Sequence, residues 1–171
     1  MRVAAVFRLM TASCTIAALG CSSDGGTDPD DASCITIEGS AQLTGDRHTL
    51  MGNGVFRFDD EDRPVEVGLY LFEMREGQGG IFVDTQYQFT WENGDFFLTV
   101  DKVFFQPSLN ADEYRFNVAM KITMGSGLFA DQVGKQPLTL TATIQFGPPE
   151  NPGGARSTQE SFTVGGDICP S

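Results

Sequence analysis

The chain has 171 residues with 23 acidic and 11 basic side chains, a formal charge of −12. That length allows one domain with a real core but hardly two, and the ordinary apolar content argues against global disorder. An acidic chain repels polyanions, so nucleic acid is excluded as an expected partner.

The N-terminus reads as an export signal over 1–20. Arg2 and Arg8 supply the positive region, and Leu9 to Leu19 is mostly apolar or small, too short to cross a bilayer as a mature helix. Losing it takes the charge to −14. The run Ala18-Leu19-Gly20-Cys21 resembles the lipobox of bacterial lipoproteins. That resemblance implies acylation of the Cys21 thiol, which becomes the first residue of the mature chain. Ser22 behind it implies sorting to the outer membrane. Ala18 and Gly20 also suit an ordinary signal peptidase at the same bond, which leaves a secreted or periplasmic soluble protein as the alternative. Cysteine parity favours the lipid. Cys14 leaves with the signal, Cys34 and Cys169 stand at opposite ends of the domain as a disulfide pair, and Cys21 is the odd thiol.

Residues 21–32 have no large apolar side chain and four aspartates, so they read as a flexible acidic tether. From 33 to 171 the pattern is strands and turns. Eight strands are expected at about 33–43, 50–58, 64–73, 80–91, 95–105, 113–124, 137–146 and 158–165 by period-two alternation. Asp59 to Pro64 is expected as a charged loop, and Asn93-Gly94 as a tight hairpin. Gly147 to Gly154, with three prolines, is expected as a long exposed loop.

Tyr87, Phe89 and Trp91 share one side of their strand, and Tyr114 and Phe116 one side of another. These five are the expected lining of an apolar pocket. The strand from Phe96 to Phe105 is apolar on both faces, so its second face is covered by the tether or a loop, or lies in a homo-oligomer interface. Short connections favour sequential antiparallel pairing. The fold class expected is all-β, a single eight-stranded up-and-down barrel, with a β-sandwich as the alternative.

Gly125-Ser126-Gly127-Leu128-Phe129-Ala130, then Gly134 and a Thr-rich strand, resembles the corner of exported barrels of the allene oxide cyclase and dirigent type. Gly125, Gly127, Phe129, Ala130 and Gly134 carry the likeness, as turn residues with Phe129 as a plug under the barrel end. The resemblance implies an eight-stranded barrel and, as one functional alternative, a cyclase or isomerase acting on a lipid-like substrate.

The residues themselves assemble no mechanism. His48 is the only histidine, so a multi-histidine metal site is excluded, and no Gly-x-Ser-x-Gly exists. No metal or cofactor is expected. Asp59 to Asp62 read as a solvated turn, while Glu66, Glu73, Asp84 and Asp101 are the carboxylates that could point into a barrel. The favoured expectation is a non-catalytic, membrane-anchored surface scaffold or binder of a small apolar ligand. An adhesion or carbohydrate-binding module is the further alternative, and it requires exposed rings from Tyr70, Tyr87, Trp91 or Tyr114.

Overall fold

The computed structural model describes residues 34–149 and 156–170. The folded unit spans Ala32–Ser171, and Cys21 with the whole of 1–33 lies outside the described residues. Nine strands form one antiparallel sheet that closes on itself: β1 Ile35–Gly45, β2 Thr49–Phe58, β3 Glu61–Gly77, β4 Gly80–Trp91, β5 Phe96–Pro107, β6 Glu113–Met120, β7 Ile122–Gly125, β8 Leu138–Pro149 and β9 Arg156–Ile168. The architecture is a closed eight-stranded antiparallel barrel with one extra short strand, β7. Sequence neighbours pair from β1 to β6 and from β8 to β9; β7 lies on β5 instead, and β6 pairs with β8. β1 meets β9 from Ile35↔Ile168 to Gly45↔Thr158.

Closure follows from alternation. On β1, Ile37, Ala41 and Leu43 turn inward while Thr36, Glu38, Ser40 and Gln42 face water, and β2, β4, β6, β8 and β9 repeat the pattern. A sheet with one apolar face must bury it, and rolling up does so without leaving open edges. The two ends of the chain are then neighbours. Cys34 and Cys169, 135 residues apart, form a disulfide with their Cα atoms 4.1 Å apart.

Three expectations about connections are corrected. The charged stretch Asp59 to Pro64 is no loop: Asp59-Asp60 alone turn the chain, Asp59 at φ 52°, and β3 starts at Glu61. Pro64 is accommodated because it pairs with Val55 of β2 while the β4 ladder begins only at Val65↔Trp91. Its missing N–H therefore falls where no neighbouring strand asks for it. Of the loop expected over Gly147 to Gly154, Gly147, Pro148 and Pro149 belong instead to β8, with a register shift between Phe146 and Pro149 that absorbs them, and 150–154 lie outside the described residues. The expected strand 113–124 breaks at Lys121 into β6 and β7. β5 pairs with β6 only at Gln106 and Pro107 and with β7 only from Phe97 to Thr99. Asp101 Oδ1 accepts the Lys121 N–H at 3.2 Å within that break.

One end of the barrel is plugged. After β7 the chain makes a 3-10 turn, Gly127–Gln132, which delivers Phe129 beneath the aromatic core. Phe129 is fully buried, 4.7 Å from the Phe97 ring, 5.1 Å from Trp91 and 6.4 Å from Phe58. Gly127 sits at φ 55°, where a Cβ would stand 1.7 Å from Asp95 Oδ1, so only glycine fits this corner. Gly134, at φ 88°, turns the chain back and donates its N–H to the Ile122 carbonyl. Ala130 is exposed on the outside of the turn. Gln132 is buried and its Nε2 donates to the Cys169 carbonyl at 2.8 Å, which ties the plug to the disulfide.

Truncating Phe129→Ala removes the plug and should cost about 3–5 kcal/mol, the usual range for deleting a buried aromatic ring. A urea titration of the purified domain reads this as a lower midpoint with an unchanged slope. A loss within experimental error would mean that the ring does not close the barrel end.

Candidate functional site

The interior beside the plug is solid. Phe56, Phe89, Trp91, Phe97 and Phe162 pack edge-on, tilted or stacked, with Phe89 and Phe97 4.4 Å apart. Of the five residues expected to line a pocket, Tyr87, Phe89, Trp91 and Phe116 face inward but lie buried in this packing and in a stacked Phe105–Phe116 pair. Tyr114 alone is half-buried and borders open space. Trp91 and Tyr87, two of the rings that a carbohydrate platform would need, are inside the barrel.

The opposite end, where β1–β2, β3–β4, β5–β6 and β8–β9 connect, is open among the described residues. There Met74, Ile81, Tyr114 and Phe146 surround a cavity of about 210 Å³, with Arg47 and Asp112 also in its lining. Each apolar wall has a local origin. A register shift between Leu71 and Met74 re-aims Met74 onto the inward side opposite Val83. Tyr114 opposes Ile144, and Phe146 opposes Thr158, so these rings stand on adjacent strands. Their centroids are 5.8 Å apart in an edge-on contact. A larger depression of about 730 Å³ lies on the outer face over Ser40, Asn53, Thr141, Ser161 and Thr163. It is open to solvent and no buried polar group converges on it, so the mouth is the stronger candidate.

Between mouth and plug lies an ionisable pair. Glu160 of β9 is buried, and Tyr87 of β4 reaches across to donate its O–H to Glu160 Oε1 at 2.5 Å. The second oxygen, Oε2, has no hydrogen-bond partner, nor does the neighbouring inward hydroxyl of Thr158. Removal from water pushes the Glu160 carboxyl up to about 8, against the modest opposing pull of the Tyr87 hydrogen bond. The same burial, then the adjacent Glu160 charge, raises the Tyr87 phenol well above its ordinary value. Asp101 of β5 is the other inward carboxyl; burial raises it and the Lys121 N–H pulls it back.

Of the carboxylates expected to point inward, Asp101 does. Glu66 and Glu73 are exposed, and Asp84 lies on the outer face opposite Lys102. Glu160 was not among the expected residues, although the alternation that turns Phe162 and Val164 inward carries Thr158 and Glu160 with them. His48 is exposed in the β1–β2 turn, its backbone N–H bonded to Asp46 Oδ1 at 2.7 Å. Among the described residues no three His, Cys, Asp or Glu side chains gather as metal ligands.

The second face of β5 is partly open. Phe97, Val103 and Phe105 are buried inside, while Val100 is half exposed outside and Phe104 rests against the exposed Phe82 ring at 4.7 Å.

No protein-family model matches the chain, and no curated protein matches it.

Proposed function

We propose that this is an exported, lipid-anchored β-barrel protein of the cell envelope, held in the outer membrane through Cys21, that serves as a rigid non-catalytic scaffold and takes a small apolar ligand at its open mouth. The observation that carries the ligand reading is the cavity of about 210 Å³ walled by Met74, Ile81, Tyr114 and Phe146. Concave sites with apolar walls and a few polar groups are the usual form of small-molecule sites. The packed half beneath it, braced by Phe129 and the Cys34–Cys169 bridge, supports the scaffold reading. The lipobox-like run before Cys21 supports the anchor.

Two measurements test it. Native mass spectrometry of the detergent-extracted chain should show a polypeptide starting at Cys21 with acyl mass added; an unmodified cysteine removes the anchor. In a methyl-labelled sample, toluene should shift the Met74 methyl resonance and leave that of Met51, exposed on the outer face, in place. Ile81→Trp should fill the mouth and abolish the shift. A Met74 signal indifferent to toluene contradicts the ligand reading.

A further inference from the structure

The mouth has apolar walls, but the first polar groups below it are unusual in chemistry. Thr158 stands directly across the β8–β9 pair from Phe146, which lines the cavity, and Glu160 is the next inward side chain on β9, opposite Ile144. Successive inward residues on a strand are about 7 Å apart, so Glu160 lies one step below the cavity wall. Its Oε1 is held by the Tyr87 hydroxyl, while Oε2 and the Thr158 hydroxyl are buried without partners. An oxygen left unpaired in an apolar interior is costly, and a ligand group that satisfies it gains that energy on binding.

We propose that the mouth takes a small amphipathic amine, with its apolar body between Met74, Ile81, Tyr114 and Phe146 and its ammonium group on Oε2 of Glu160. This rests on the mouth being a ligand site and adds the class of ligand. The titratable groups facing this level are acids and phenols: Glu160 on β9, Tyr87 on β4, Asp101 on β5 and Tyr114 on β6. The inward positions of β1, β2 and β8, and those of β3 from Val65 to Met74, are apolar or glycine. Arg63, the inward-directed cation of β3, is far off at the plugged end, 4.8 Å above the Phe58 ring. Arg47 and Asp112 both stand at the rim, one of each sign.

At the level of Glu160 a carboxylate head would therefore meet acids and phenols, with Arg47 only at the rim above, whereas an ammonium meets a carboxyl able to ionise against it. The proton count is simple. Glu160 is protonated in the free protein at neutral pH; when the ammonium binds, the carboxyl proton leaves to water and an ion pair remains. Tyr87 keeps its proton and continues to donate to Oε1. Binding of the amine must then strengthen as pH rises towards 8, while binding of an uncharged analogue does not change.

A cavity of about 210 Å³ has room for about seven water-sized groups, which sets the probes as hexylamine, hexan-1-ol and hexanoate. Each is titrated into the methyl-labelled chain at pH 6 and pH 8, with Met74 as the reporter. The expected result is that hexylamine binds at least about tenfold tighter than hexanol at pH 8, tightens from pH 6 to pH 8, and outcompetes hexanoate entirely. Glu160→Gln, which keeps the acceptor for Tyr87, should erase the amine's advantage and its pH dependence while leaving hexanol unchanged. Equal binding of all three probes, or an amine affinity indifferent to Glu160→Gln, overturns the assignment of the amine while the mouth remains a ligand site. If no probe moves Met74, the mouth reading fails and the amine with it. Should the variant not fold, the pH dependence of hexylamine against hexanol in the native chain decides alone.

Discussion

Thermal or urea unfolding of the native chain followed from pH 4 to pH 9 is expected to show stability falling through the neutral range, and Glu160→Gln is expected to flatten that fall. Glu160 titrates near its ordinary 4.5 when unfolded and at about 8 when folded. Below 4.5 both states hold the proton and the residue costs nothing electrostatically. Between 4.5 and 8 only the folded state holds it, so unfolding releases a proton and rising pH favours the unfolded chain. Above 8 both are ionised and the full penalty, on the order of 5 kcal/mol, is in place. Glutamine removes the titration but keeps an acceptor for the Tyr87 hydroxyl, so the variant should equal or exceed the native chain in stability at pH 9. Asp101 is also raised and its slope will remain in both proteins, which makes the difference between them the quantity to read. Parallel curves for native and variant would mean that the carboxyl is not enclosed by the barrel.

The second large effect is that of the bridge. Cys34 and Cys169 close a loop of 135 residues, nearly the whole domain, and the chain-entropy argument assigns such a crosslink about 5 kcal/mol. The paired change Cys34→Ser and Cys169→Ser should therefore lower the melting temperature by about 15 °C. It should do so without altering the folded barrel, because the β1–β9 ladder continues for eleven residue pairs beyond the bridge. Differential scanning calorimetry with and without reductant measures the same effect in the native chain. A melting temperature unmoved by reduction would show that β1 and β9 are held together well enough even in the unfolded ensemble.

Much of this was legible from the residues. Period-two alternation from Ile35 to Ile168 dictated which side chains face in, and parity left Cys34 with Cys169. Asn93-Gly94 gave its hairpin, with Gly94 at φ 88° and the Gly94 N–H on the Trp91 carbonyl. What escaped has physical causes. Charge and proline made 59–64 look like loop, yet a strand tolerates outward charges, and Pro64 found the one neighbourless side of its ladder. The filling of the interior was illegible because it depends on how far rings reach across the barrel: Tyr87 and Trp91 were rightly turned inward, but rings from opposite walls meet and bury them. Glu160 was not among the carboxylates expected inside, although its register with Phe162 required it.

The same register explains why the two readings of the interior belong together. A barrel of this size packs solid where Phe side chains meet, and the level at which β9 supplies Thr158 and Glu160 is where aromatic filling gives way to polar groups and then to the open mouth. One strand thus supplies both the boundary of the core and the chemistry offered to a ligand.

The most direct test is the titration of Glu160 itself, followed through its side-chain carboxyl carbon by NMR in the full-length folded protein. A closed barrel that takes this carboxyl out of water predicts an inflection at about pH 8. An inflection in the ordinary glutamate range would contradict it, since it would place Glu160 in water and outside the barrel.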